Sequence, residues 1–169
     1  MEGNAQFSPC RRYRYSLRRN WIGGSGTVNF IGLNPSTADE TLDDPTIRRC
    51  IGFAKLWGFE SLVMLNLFAW RATNRKEIRR VSDPVGPDND AALREHIIWP
   101  DRLTVAAWGT DGTHLGRADT VRAMFPELSC LRLTKDGHPE HPLYLPKDLT
   151  PAPYGPPNRA VEAASNVCG

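Results

Sequence analysis

A chain of 169 residues fits one domain and can bury a sizeable core without disulfides or metal to staple it. With 40% hydrophobic and 24% charged residues it has the composition of a soluble globular protein, and no apolar run reaches the length of a membrane span. A net charge of +2 does not by itself mark a nucleic-acid binder, so local clusters carry that question.

Residues 1–26 form a basic N-terminal segment. Arg11, Arg12, Arg14, Arg18 and Arg19 crowd it, with Tyr13 and Tyr15 between them. The pattern reads equally as a grip for phosphates and as a charged edge strand. The opening MEGNAQFSPC lacks the basic-then-apolar order of a secretory signal, which points to the cytoplasm. Cys10, Cys50, Cys130 and Cys168 are widely separated, with no C-x-x-C pair and no histidine at zinc-finger spacing; neither metal nor cofactor is expected.

The core, residues 27–146, begins with Thr27 to Leu33, a short apolar run whose β-branched content favours a buried strand. After the loop STADETLDD, Asp44 followed by Pro45 is a helix start: the carboxylate caps free N–H groups and proline suits the first turn. Ile47, Cys50, Ile51, Ala54 and Trp57 then recur at helical spacing, and Gly58 is placed to end the helix. Ser61 to Phe68 is apolar apart from Asn66, as a central parallel strand requires. A turn-rich stretch leads to a helix from about Asn89 to Ile98, a third strand from Leu103 to Trp108, a helix from His114 to Met124, and a fourth strand from Leu128 to Leu133. Prolines from Pro139 to Pro157 argue against regular structure there, and residues 147–169 form a proline-rich C-terminal segment of the same single domain. Alternating strands and helices predict a three-layer α/β/α fold with a central, mostly parallel four-stranded sheet.

In such a sheet ligands bind beyond the carboxyl ends of the strands. Asn34, Asn66, Trp108-Gly109 and the histidines His138 and His141 each follow one predicted strand, so one shared site is the simplest reading.

Those residues resemble the motifs of the uracil-DNA glycosylase superfamily. Gly32-Leu33-Asn34-Pro35 resembles its first motif, in the asparagine form of the mismatch-specific members, and Asn66 within VMLNLFAWRATN falls on its base-reading asparagine. Trp108-Gly109 resembles its third strand end, and His138-Pro139 or His141-Pro142-Leu143 its histidine loop, although the loop here offers two histidines. The iron–sulfur members need four cysteines near the core, which this spacing does not supply, so no cluster is expected. The strings GLNPSTADE, DDPTIRRC and GHPEHPLY also resemble a group of bacterial and phage domains, domain of unknown function family 1643.

The superfamily resemblance implies a monomeric, monofunctional DNA glycosylase. Asn34 would hold the attacking water, and a nearby carboxylate, Asp39, Asp43 or Asp44, would supply basicity unless Asp44 serves only as a helix cap and Asp39 and Asp43 are merely solvated; His138 or His141 would stabilise the departing base. Asn66 would bind the base edge beside Gly32, Pro35 and Ser36, with Phe68 or Trp70 stacking on it. Ser36 stands where strict uracil enzymes carry a tyrosine that crowds carbon 5. A 5-substituted pyrimidine, such as hydroxymethylated or glucosylated cytosine in viral DNA, is therefore the expected substrate, and antiviral defence the expected role. Arg71, Arg75, Lys76 and Lys135 are placed to meet phosphates or simply to face solvent, and Leu143 or Tyr144 to wedge into the duplex or anchor the loop. The alternatives are a non-catalytic nucleic-acid or nucleotide-binding module of this fold and a hydrolase of free nucleosides or nucleotides.

Overall fold

The computed structural model describes residues 1–155. Its centre is one seven-stranded mixed sheet with three α-helices. The strands are β1 (Glu2–Phe7), β2 (Arg14–Asn20), β3 (Thr27–Gly32), β4 (Ser61–Asn66), β5 (Thr104–Ala106), β6 (Ser129–Cys130) and β7 (Ala152–Pro153), in the spatial order β1-β2-β4-β3-β5-β6-β7. The inner four, β4-β3-β5-β6, are parallel; β1, β2 and β7 run antiparallel to their neighbours.

The four strands read from the sequence are thus the parallel core, and the expected four-stranded sheet is corrected to seven. Both additions lie in segments whose apolar signal is weak. In the N-terminal segment, β1 and β2 form a hairpin that adds to β4, so β2 is an inner strand and β1 the edge. The expectation of a single charged edge strand fails because Arg14 and Arg19 are buried at 2% exposure. At the other end, Ala152 and Pro153 pair with Cys130 and Ser129. Proline is tolerated there because an edge strand need not donate on both sides. A short 3-10 helix, Pro142–Tyr144, also interrupts the segment expected to be irregular. Residues 156–169, which include Cys168 and the end of the proline-rich segment, lie outside the described residues.

The helices are α1 (Pro45–Leu56), α2 (Asn89–Ile97) and α3 (Arg117–Met124), and each links two parallel strands. Period-2 alternation in β3 and β4 divides their side chains between two cores. Val28, Phe30, Leu62 and Met64 pack on Ile47, Cys50, Phe53 and Ala54 of α1. Ile31, Val63 and Leu65 pack with Leu93 of α2 and Val121 of α3 on the opposite face. Helix α1 is bounded as its sequence predicts: Asp44 Oδ1 accepts from the Ile47 N–H at 2.9 Å, and Gly58 leaves the helix at φ +84°. The third helix starts later than expected, at Arg117, because the 3-10 segment Thr110–Gly116 breaks within itself at His114 and at Leu115, whose φ is 54°.

The crossover from β3 to β4 uses α1 on one face, and those from β4 to β5 and from β5 to β6 use α2 and α3 on the other. Strand order therefore reverses at β3. The loops after β3 and β5 separate at that point and open a crevice at the carboxyl edge.

Candidate functional site

A cavity of about 270 Å³ occupies this crevice. Its walls include Gly32 at the end of β3, Asn34 and Ser36 after it, Asn66 at the end of β4, and Trp108-Gly109 after β5. The first turn of α1 with Asp44, and the segment His141–Tyr144, close the other side.

Asn34 is fixed by backbone carbonyls. The chain leaving β4 runs beside the loop after β3, with the Leu67, Phe68 and Ala72 N–H groups donating to Gly32, Leu33 and Pro35, each at 2.9 Å. Within that brace the Asn34 Nδ2 donates to the carbonyls of Pro35 at 3.0 Å and Ala72 at 2.9 Å. Three acceptors crowd its nitrogen when the longer contact to Trp70 is included, so the amide cannot turn over without loss, and the side-chain oxygen is left to serve a ligand or water.

Asn66 is held differently. Its backbone carbonyl accepts from Asn89 Nδ2 at 3.0 Å, and the same nitrogen bonds the Leu67 carbonyl, which also accepts from Arg117 Nε at 2.8 Å. Arg117 is buried and pairs with Asp90. These groups set the strand end, while the Asn66 side chain, 2% exposed, has an Nδ2 with no partner. Gly32 is its neighbour across the parallel pair, and a Cβ there would sit 2.9 Å from Asn66 Oδ1, so the approach needs glycine. Asn89 and Arg117 escaped the sequence reading: each sits on a helix, and nothing local shows that its side chain reaches back to a strand end.

Of the two histidines, His141 lines the cavity and His138 does not. His138 belongs to a tight turn, its backbone N–H bonded to Thr134 Oγ1 and its carbonyl to the Thr134 N–H. The Pro139 carbonyl accepts from the Gly109 N–H at 2.8 Å, tying this loop to the end of β5. His141 Nδ1 accepts from the Leu143 N–H at 3.3 Å, so the neutral ring carries its proton on Nε2. Burial holds its pKa below the usual histidine value; Asp44 pulls the other way, and Arg75 adds to the depression.

Asp44 combines two positions, capping α1 and lining the cavity. Arg14, read at first only as part of a basic cluster, also lines it, and burial pushes its guanidinium down to about 10. Its inward placement was hidden because β2 was not legible as an inner strand.

Phe68 is corrected: it is fully buried in the core beneath α2 and α3, with its ring against His114, and no base can stack on it. Trp70 packs edge-on against Tyr13 away from the cavity. The aromatic residues on the cavity walls are Trp108 and Tyr144, the latter 80% exposed. Pro35 is buried behind the wall and contributes its carbonyl to Asn34. Among the expected cations, Arg75 lines the cavity and pairs with Asp111 at 3.0 Å. Lys76 is exposed beside it, Arg71 is bound to the Arg11 carbonyl, and Lys135 lies exposed on the His138 turn. Leu143 and Tyr144 both reach the cavity. No cluster of three metal-ligating side chains is present among the described residues, and no described helix is long and apolar enough to cross a membrane.

No curated protein and no solved structure matches this chain. Residues 14–143 match the family model described as Protein of unknown function (DUF1643), a span that runs from the buried Arg14 to Leu143 at the cavity and covers well over half the chain. The chain belongs to the DUF1643 family.

Proposed function

We propose that the sheet-edge cavity receives a single base extruded from DNA and hydrolyses its N-glycosidic bond. The observation that carries this reading is the convergence on one cavity of Asn34, Asn66 and His141, which the resemblance to uracil-DNA glycosylases singles out, together with the carboxylate of Asp44. At about 270 Å³ the space falls just under the range of roughly 300–1,000 Å³ used for drug-sized ligands, which suits one heterocycle.

Bond cleavage leaves positive charge on the sugar and negative charge on the base, so the site must hold water on one side and donate hydrogen bonds on the other. The Asn34 oxygen accepts from the water, with Asp44 the carboxylate lining the same cavity. Asn66 Nδ2 donates to a carbonyl of the base, and His141 Nε2–H to the oxygen on which charge develops. Extrusion costs a few kcal/mol, and the exposed Tyr144 at the cavity is the side chain to fill the vacated stack, with Leu143 beneath it. Arg75 and Lys76 flank this face for phosphates. Ser36 supports a 5-substituted pyrimidine as substrate, because its small side chain leaves its part of the wall open; viral DNA is a source of such bases, and its removal would be a defence.

The test incubates the protein with DNAs that differ only in one base, comparing uracil, thymine mismatches and 5-modified cytosines, and scores alkali-sensitive abasic sites. Scission on a 5-substituted base is expected. Binding without scission on any DNA would make the domain a non-catalytic module, and turnover of free nucleosides in preference to duplex would move it to that class.

A further inference from the structure

The cavity contains a charge with which no carboxylate of its walls forms an ion pair. Arg14 opens β2 and lines the cavity while only 2% exposed. Its backbone N–H donates to the Ala69 carbonyl at 3.0 Å and its Nη1 to the Ala38 carbonyl at 2.8 Å, which places the guanidinium between the two loops that follow β3 and β4. Its Nε has no partner, and no described carboxylate lies at ion-pair distance from it. The comparably buried Arg19 and Arg117 are treated differently by the fold: each has a carboxylate, Asp43 at 2.8 Å and Asp90. A buried cation without a partner is costly, and structures keep one where something else supplies the negative charge.

The surroundings agree on what that something is. Asp44 is the one carboxylate on the cavity wall, and its Oδ1 is occupied by the cap of α1. Asp44 and Asp39 favour the Arg14 cation from a distance, while Arg71 and Arg19 oppose it. The rest of the wall offers donors: the unpartnered Asn66 Nδ2, the His141 ring, Arg75, and the first turn of α1 at Thr46. Donors in excess of acceptors, around a space for one heterocycle, select a ligand rich in acceptors and bearing negative charge.

We propose that Arg14 is the counter-ion for an ionised heterocycle, and that it holds the base after its bond to the sugar has broken. This rests on the base-release reading above. In that step the C1′–N bond breaks with both electrons passing to the base, the hydroxyl of water bonds to C1′, and the water's proton passes to solvent before the base anion is reprotonated. Arg14 gives up no proton. It binds the charge that the bond pair carries away, and because that charge is absent from the intact nucleotide, its contact strengthens as the reaction proceeds.

The experiment compares two free heterocycles of similar size by isothermal titration with the full chain. They are 5-nitrouracil, whose ring N–H ionises near neutral pH, and thymine, which stays uncharged until strongly alkaline solution. Above the nitrouracil ionisation, wild-type protein should bind it about tenfold to a hundredfold more tightly than thymine. Arg14→Gln, checked for native near-UV circular dichroism, should remove that advantage, and Arg14→Lys should retain part of it. If the variants do not fold, the wild-type pH series decides, since the advantage must appear as nitrouracil ionises and vanish below that pH. Equal binding of the two ligands, no binding of either, an advantage that survives Arg14→Gln, or Arg14-dependent binding of inorganic phosphate in their place would each overturn the proposal. An Arg14-dependent advantage in a protein that releases no base from any DNA would instead remove the glycosylase reading and leave the anion site standing.

Discussion

Replacing Asn66 by leucine tests whether the strand end is built for stability or for a ligand. The substitution keeps the branched outline of the side chain and removes its polar atoms. It leaves the backbone alone: the Asn66 carbonyl stays with Asn89 Nδ2 at 3.0 Å, and the β3–β4 pairing does not involve the side chain. What disappears is a buried Nδ2 without a partner, a group whose desolvation costs about 1–3 kcal/mol. Asn66→Leu should therefore raise stability by a similar amount. For a chain of this length each kcal/mol moves the midpoint by roughly 2–4 °C, so an increase of about 2–12 °C is expected in a thermal melt followed by circular dichroism. Base release should fall by about 10²–10³, the usual loss when one preorganised donor is removed. A melting point that drops would show that the amide is satisfied within the fold and is not held in reserve for a ligand. Undiminished base release would remove Asn66 from the site.

Asn34→Asp sets an acceptor against the carbonyls of Pro35 and Ala72, at 3.0 and 2.9 Å from the present nitrogen; it should destabilise the protein by about 1–3 kcal/mol and lower turnover, and a more active, equally stable variant would refute the assigned orientation of the amide. His141→Ala should slow base release while His138→Ala leaves it near wild type, measured in single-turnover assays. The native pKa of His141 lies below the unfolded value of about 6.5, so its contribution to stability is present above that pH and is lost as the pH falls toward the native value. His96, also held low by burial, adds to the same acid loss, and His141→Gln should remove only part of the slope in melts between neutral and acid pH. Ser36→Tyr should suppress turnover of 5-substituted bases relative to uracil; an unchanged ratio would detach Ser36 from selectivity.

The parallel core was legible because burial on both faces leaves a sequence mark. β4 has no exposed residue, and its run SLVMLN is apolar enough to stand out, while α1 is framed by Asp44-Pro45 and Gly58. The N-terminal hairpin left no such mark. β2 reads RYSLRRN, and its buried arginines are held by contacts from distant loops, Arg19 to Asp43 and Arg14 to the Ala38 carbonyl. A periodicity argument counts such residues as solvated. β7 is two residues long and gains its pairing only from the position of β6.

Legibility within the site followed the same division. Asn34 and Asn66 were readable because each polar residue interrupts or closes an apolar strand. Phe68 was misplaced because the chain turns inward two residues past the strand end, beneath α2 and α3, and a strand pattern says nothing about the direction of the following turn. His138 and His141 are three residues apart, and their separation depends on hydrogen bonds to Thr134 and Leu143 that arise from loop conformation.

Several polar groups at the sheet edge are buried with an incomplete set of partners. Three belong to residues on the cavity wall: Trp108 Nε1 and, on the two strongly polar side chains, Arg14 Nε and Asn66 Nδ2. A fold selected for stability alone would replace either with an apolar side chain, as leucine at position 66 should demonstrate. Their joint presence with Trp108 Nε1 and the neutral His141 places four donors around one small space, with the Asn34 oxygen and Asp44 as acceptors. Donors in that number favour a ligand that gains negative charge on its acceptor edge, as a base does in leaving a sugar.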